Sequence, residues 1–395
     1  MDPNAAADGA ARAEDSAAAR GAATHSLIRS IPSEGVPFPR YMERALYDPR
    51  HGYYARGDSP LGRSGDFYTS VSVGPLFGQL LARRFLRWHA ENGIRGRWRL
   101  LEIGAHDGAL AADILAAAAT LDPAAYDTLG YTIAEPLATL RTRQRETLGA
   151  HAEHIRWVAD ANELAGDTLP GIAFGNELLD ALPFHVVVRR SGRWHEEGVA
   201  PDPVDPGTLA WRDLGPVSGG PLAAALSRID ATHLPDGYRT EVRTGYAALH
   251  RAIARVINPG MAVWIDYGFA RPEYYDPARR EGTLRTFSGH RAGADPLAAP
   301  GLADITAHVD FTAVAEDAAE AGFAFAAFQN QGAWLTREAR GWLAEMESTP
   351  DPAAIRRFRT LTHPAHLGAR FHVFELARPG PATATPADFH RCGLT

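Results

Sequence analysis

The chain has 395 residues, 45% of them hydrophobic and 22% charged, with a formal net charge of −7. That composition is ordinary for a soluble globular protein and argues against one whose main surface wraps nucleic acid. All 40 Lys+Arg residues are arginine, which excludes a Schiff-base lysine, a GxxxxGK[ST] phosphate loop and a protein-kinase site. The single cysteine, Cys392, excludes disulfide frameworks and multi-cysteine zinc sites and makes a reducing compartment the default.

Residues 1–30 read as a disordered tail, Ala-rich and carrying Asp2, Asp8, Glu14 and Asp15. The tail has no signal-peptide apolar core, and its acids argue against a mitochondrial presequence, so a cytoplasmic location is expected. No apolar run reaches the ~18 residues of a membrane span. Residues 31–95 read as an N-terminal segment able to fold over a ligand as a lid. From Trp98 onward strands and helices alternate. WRLLEIG (Trp98–Gly104) is a strand, ALAADILAAAA (Ala109–Ala119) a helix, GYTIAEP (Gly130–Pro136) a strand and Leu137–Leu148 a helix. HIRWVAD (His154–Asp160), GIAFGNE (Gly171–Glu177) and GMAVWIDYG (Gly260–Gly268) follow as strands, with FAFAAFQ (Phe323–Gln329) and RFHVFELA (Arg370–Ala377) last. Continuous apolar runs separated by helices predict an α/β, doubly wound, parallel sheet. Residues 184–258 interrupt it as an insertion on the substrate side. They hold FHVVVRR, a Ser191-Gly192 turn and RWHEEGV, a hairpin pattern, then a Pro/Gly-rich loop over Ala200–Pro221 and helical stretches. The sheet domain is thus expected in two halves, 96–183 and 259–395.

The segment LLEIGAHDGALAADIL carries the strongest local signal. A strand with Glu102 near its end turns through Gly104-Ala-His-Asp-Gly108 into a helix. Glycines suit a tight turn that approaches a ligand closely. The GxGxxG of a dinucleotide dehydrogenase is missing, and no GxSxG nucleophile elbow occurs in the chain. The ExGxxxG spacing resembles instead the S-adenosylmethionine (SAM) loop of class I methyltransferases, in which the acid positions the amino-acid part of SAM. Glu135, ending the second strand, suits the ribose hydroxyls, and Asp160 with Ala161, ending the third, suits the adenine amino group. Three acids at the carboxyl ends of three consecutive strands lie where doubly wound sheets bind ligands.

FGNELLDALPFH (Phe174–His185) resembles the NExxDAxP motif of the MidA-like methyltransferases, a family that includes the mitochondrial complex I assembly-factor arginine methyltransferase. YMERALYDPRHGYYARGDSPLGRSGDFYTSVSVGPLFGQLLA (Tyr41–Ala82), VWIDYGF (Val263–Phe269) and GTLRTFSGHRAGADPLAAPGLADITAHVDF (Gly282–Phe311) resemble the family's other blocks, in family order. The departures are His106 for the usual glycine, Asp107 for a basic residue, and Val71-Ser72 for proline and glutamate. The resemblance implies a class I SAM-methyltransferase fold, SAM as cofactor and a protein arginine N-methyltransferase acting on a protein substrate, with a respiratory complex I subunit as candidate. Small-molecule O- or N-methylation on the same scaffold is the alternative, and a non-catalytic assembly factor a second one. The intact set Glu102, Gly104, Gly108, Glu135 and Asn176-Glu177 speaks against the last.

Cofactor contacts are expected at Asp66, Phe67, Thr69, Ser70, Glu102, Gly104, Gly108, Glu135, Asp160, Ala161 and Asn176. A guanidinium acceptor has a pKa above ~12 and a delocalised lone pair, so carboxylates that grip it can orient the attacking nitrogen. Glu177 and Asp180 are the expected pair. The alternatives are an ion pair for Glu177 and a turn cap for Asp180. His308 suits uptake of the product proton. Asp310 is a further candidate that reads equally as an N-cap. Thr69 and Ser70 likewise read as a helix start. His290-Arg291 either binds an acidic group or holds a loop. The i, i+3 pair His151 and His154 lacks a third ligand, and no metal is expected.

Overall fold

The apolar runs pair as the alternation predicts. In the computed structural model, which describes residues 21–56, 69–288 and 291–379, seven strands form one sheet: β1 (Trp98–Ile103), β2 (Leu129–Ala134), β3 (Ile155–Val158), β4 (Leu169–Asn176), β5 (Ile257–Asp266), β6 (Ala324–Asn330) and β7 (His372–Arg378). The spatial order is β6-β7-β5-β4-β1-β2-β3. Side chains alternate between faces, so each strand feeds two cores. Leu100, Tyr131, Ile172, Phe174 and Val263 pack with Phe77, Leu80 and Phe85 of α1 (Leu76–Glu91) and Ile114 of α2 (Ala109–Leu121). Leu101, Ala173, Ala262 and Trp264 pack on the other face. Their partners are Ile253 and Val256 of α4 (Tyr246–Val256) and Phe311 and Val314 of α5 (Phe311–Glu320). Between β2 and β3 lies α3 (Ala138–Leu148). The chain runs outward from β1 to β2 and β3, then returns to place β4 on β1's other side. The crevice between the carboxyl ends of β1 and β4 is therefore the topological switch point, where open α/β sheets bind ligands.

One strand departs from the parallel expectation: β7 runs antiparallel to both β5 and β6. The cause is the connection. β6 ends at Asn330, α6 (Gln331–Glu338) follows directly, and the later helices bring the chain back to the same edge. There the Gln331 N–H donates to Phe371 O at 2.8 Å, so the last strand can only run back.

The chain divides into two units. The sheet belongs to the described parts of Pro60–Leu182, Gly245–Asp276 and His308–Thr395. The second unit takes the described parts of Met1–Ser59, Pro183–Thr244 and Pro277–Ala307. Its larger sheet is antiparallel, built on the hairpin His185–Arg190 and Arg193–Pro201. Ser191 and Gly192 at its tip both have left-handed backbone, φ 50° and 75°, as a two-residue hairpin turn requires. Leu209–Pro216 pairs with Arg193–Pro201, although this stretch reads as loop. Gly215 and Pro216 mask its alternation, and cross-strand pairing decides. Arg285–Ser288, Arg291–Gly293 and Asp304–Thr306 make a further small sheet. Buried Glu241 accepts the N–H groups of Thr283 and Leu284 and the Thr283 hydroxyl. Residues 21–29, expected in a disordered tail, are helical, because Leu27 and Ile28 bury apolar side chains. Of the stretch read as one lid segment, the helix Phe38–Tyr47 belongs to the second unit and α1 to the sheet unit.

In the sheet unit a buried ion pair ties α1 to β7. Arg84 donates to both carboxylate oxygens of Glu375 at 3.0 and 3.3 Å, and Trp334 Nε1 donates to Oε1 at 3.0 Å. Removing one partner leaves a buried charge alone. Glu375→Ala should lower the unfolding free energy by about 3–5 kcal/mol, measured by denaturant titration. A loss below about 1 kcal/mol, the median for surface pairs, would contradict this assignment.

Candidate active site

The loop after β1 is held in a strained shape. Gly104, His106 and Gly108 all have left-handed backbone, φ 76°, 45° and 85°. A Cβ on Gly104 would lie 3.0 Å from Leu178 Cδ1, and one on Gly108 3.3 Å from Gln144 Cα, so both positions favour glycine for φ, with close neighbours beside them. His106 adopts the conformation that glycine takes easily. Its carbonyl accepts from Gln144 Nε2 at 2.9 Å. Asp107 Oδ1 accepts the Ala109 N–H at the start of α2. Gln144 is fully buried and also donates to Glu135 Oε2 at 3.3 Å, while its own oxygen accepts from Trp157 Nε1 at 2.8 Å. It locks the loop, Glu135 and β3 together. A glutamine inside a polar helix carried no sequence signal for this.

Two of the three strand-end acids are buried. Glu102 accepts the Tyr131 hydroxyl at 2.6 Å, and burial, opposed by that bond, pushes it from 4.5 up to about 7. Glu135 accepts the Leu137 N–H at 2.9 Å, and burial pushes it up to about 7 as well, against that bond and Gln144. A carboxylate offers about four acceptor positions, so Glu135 retains capacity for vicinal hydroxyls. Asp160 is exposed and caps the short turn Ala161–Leu164 through the Asn162 N–H, with Ala161 buried beneath it.

The ends of β4 and β5 form the other side of the crevice. Glu177 has φ 52°, its N–H donates to Ile265 O at 2.8 Å, and Asn176 Nδ2 donates to its carboxylate at 3.0 Å. Asp180 is buried and accepts the Tyr267 hydroxyl. Beside it lies Asp266, whose carboxylate accepts the N–H groups of Leu179, Asp180 and Tyr267. Burial, then Asp180 and Glu177, push Asp266 well above the usual carboxylate range. The His308 ring stacks on Phe269, centroids 5.0 Å apart, and meets Tyr267 edge-on at 5.2 Å.

Glu177, Asp180 and His308 are thus brought into one cluster, to which Asp266 and Tyr267 belong. Sequence reasoning overlooked both, although Asp266 ends its strand as Glu135 does. Asp310 is committed elsewhere. It caps α5 through the Ala313 N–H, and its other oxygen lies 3.4 Å from Arg271, which also grips Glu316. Thr69 closes a turn with Ser72, and buried Ser70 donates to Gln331 at 2.9 Å, so both side chains serve the local fold. Asp66, Phe67 and His290 lie outside the described residues, as does the Arg291 side chain.

The raised Glu102 fixes the sign of a pH effect. Folding favours its protonated form, so the stability this provides is complete below pH 4.5 and lost as pH rises through about 7. Glu102→Gln should therefore be near neutral at pH 5 and stabilising by about 3 kcal/mol at pH 8, at about 1.4 kcal/mol per pK unit. Unfolding free energies measured at both values check this. A pH-independent difference would contradict it.

Residues 80–329 match the model of the family described as "Putative S-adenosyl-L-methionine-dependent methyltransferase". A crystal structure from Burkholderia thailandensis with S-adenosyl-homocysteine bound is 34% identical, with a TM-score of 0.79 over 94% of this chain and 96% of that one. A native crystal structure from the same organism is 35% identical, with a TM-score of 0.77 over 91% and 93%. Two curated relatives are the mitochondrial protein arginine methyltransferase NDUFAF7 of Danio rerio and its Drosophila melanogaster homolog. They are 26% and 28% identical over 89% of this chain and 86% and 84% of their own. Those names overturn the cytoplasmic location expected from the sequence, since both are mitochondrial proteins. With a matched family model, a bound-product relative of the same fold and a switch-point crevice lined by buried acids, the chain belongs to this S-adenosyl-L-methionine-dependent methyltransferase family and is an enzyme of that class.

Proposed function

We propose that this enzyme methylates the guanidinium group of an arginine in a protein substrate. A respiratory complex I subunit is the acceptor that the family resemblance implies. The observation that carries the reading is the convergence of Glu177, Asp180 and Asp266 at the ends of β4 and β5. Acids gathered at one site repel one another, and a planar cation gripped by Glu177 and Asp180 relieves that repulsion. The names of the curated relatives, protein arginine methyltransferases, support an arginine acceptor.

SAM supplies a methyl group already activated on a sulfonium, so the protein's tasks are alignment, exclusion of water and management of a proton. Gly104–Gly108 and Glu102 hold the amino-acid end of the cofactor, Glu135 its ribose, and Asp160 with Ala161 its adenine, with Asn176 beside the reacting centre. Glu177 and Asp180 grip the guanidinium and orient its attacking nitrogen. His308 takes the proton released from that nitrogen. Asp310 positions α5 and Arg271 and has no chemical task.

Incubation with methyl-labelled SAM and a cell extract tests the acceptor. Label should enter protein and be recovered as methylarginine after hydrolysis. Label confined to small molecules would contradict the reading. Two variants separate cofactor from acceptor. Glu135→Gln should weaken SAM binding in calorimetry by about 1.5–3 kcal/mol, the range for a charge-assisted hydrogen bond. Glu177→Gln should leave SAM affinity nearly constant while cutting turnover. A fall in melting temperature as the main effect would instead make Glu177 a structural ion-pair partner.

A further inference from the structure

Asp266 is 1% exposed, and among the described residues its carboxylate accepts only backbone N–H groups and pairs with no cation. Oδ2 takes Leu179 at 2.8 Å and Asp180 at 3.2 Å, and Oδ1 takes Tyr267 at 2.9 Å. A buried carboxylate beside two other acids opposes folding, and it is kept in place by the three N–H groups that it satisfies. What the carboxylate adds is control of the turn that follows β4. Glu177 is left-handed at φ 52°, a conformation unfavourable for a residue with a side chain that persists only where its surroundings over-determine it. Three successive residues, the last two of β5 and the one after it, do so. Ile265 O accepts the Glu177 N–H, Asp266 accepts those of Leu179 and Asp180, and the Tyr267 hydroxyl donates to the Asp180 carboxylate. The cap of this turn comes from Asp266.

We propose that Asp266 is a positioning residue for methyl transfer, which holds the turn carrying Glu177 and Asp180, through the N–H groups of Leu179 and Asp180 and through Tyr267, in the arrangement that grips the acceptor. This rests on the guanidinium reading above. Asp266 touches neither cofactor nor acceptor. Its effect is on the alignment of two groups that do, and a misplacement of about 1 Å at such a site can cost about 100-fold in rate. Asparagine at 266 has one acceptor oxygen in place of two, so it can satisfy Leu179 and Asp180 or Tyr267, and one arm of the turn is released.

The test uses the full chain, methyl-labelled SAM and the proteins of a cell extract as acceptor. Asp266→Asn, Tyr267→Phe and Glu177→Gln are compared for turnover, SAM affinity, melting temperature and the pH dependence of turnover. Asp266→Asn should lose about ten- to hundred-fold in turnover with SAM affinity held within about two-fold. Tyr267→Phe removes a donor to Asp180, so the acid limb of its pH–rate profile should move to higher pH with SAM affinity unchanged. Normal turnover in Asp266→Asn while Glu177→Gln is impaired overturns the proposal. So does a loss in Asp266→Asn that only tracks its folded fraction or SAM affinity. Should Asp266→Asn fail to fold, Tyr267→Phe decides, and an unmoved pH profile with normal turnover overturns the proposal. Normal turnover in Glu177→Gln overturns the guanidinium reading itself.

Discussion

Desolvation of carboxylates along one edge of the sheet is the constraint on which this site depends. Glu102, Glu135, Asp180 and Asp266 are 2%, 4%, 3% and 1% exposed. Leaving water costs an ionised carboxylate several kcal/mol unless strong partners replace the solvent. Elsewhere in the same unit the chain pairs its acids with arginine, as in Arg84–Glu375, Arg99–Asp167 and Arg271–Glu316. At the sheet edge the partners of Glu102, Glu135 and Asp266 are of another kind. A tyrosine hydroxyl, a glutamine amide and backbone N–H groups stabilise them without cancelling their charge. Such an edge is a poor place for an anion and a good one for a cation. A cofactor with an ammonium and a sulfonium, and an acceptor with a guanidinium, both meet that requirement.

Shape comes from strained backbone on both sides of the crevice. The β1 loop is left-handed at Gly104, His106 and Gly108, and the turn after β4 is left-handed at Glu177. The two are in contact, since Leu178 occupies the space a Cβ on Gly104 would need. The turn that carries Glu177 and Asp180 therefore packs directly on the loop expected to lie beneath the cofactor. A change on either lip is transmitted to the other by packing.

Most of this architecture was legible in the residues. Strands show as short apolar runs between helical stretches, and β1 to β7 were all found that way. The direction of β7 was not legible, because it depends on where the helices after Asn330 deliver the chain. The strand Leu209–Pro216 was hidden for a related reason: pairing with Arg193–Pro201 gives it order that local periodicity lacks. In the site, Glu102 and Glu135 were readable as acids at strand ends. Asp266 carries the same strand-end signal and was overlooked, and Gln144 was not readable, since its importance lies in contacts with other elements. For Asp310 and Thr69 the capping reading open in the sequence describes their hydrogen bonds, whereas the Ser70 hydroxyl reaches across to Gln331.

The most direct measurement is calorimetry of SAM binding between pH 5.5 and 7.5 in buffers of different ionisation enthalpy. Glu102 and Glu135 are both pushed up to about 7, and a cationic ligand beside them lowers that value. Affinity should rise with pH across this window, with protons released on binding and release greatest near its lower end. Affinity independent of pH, with no proton exchanged, would contradict a cofactor site built from these two buried acids.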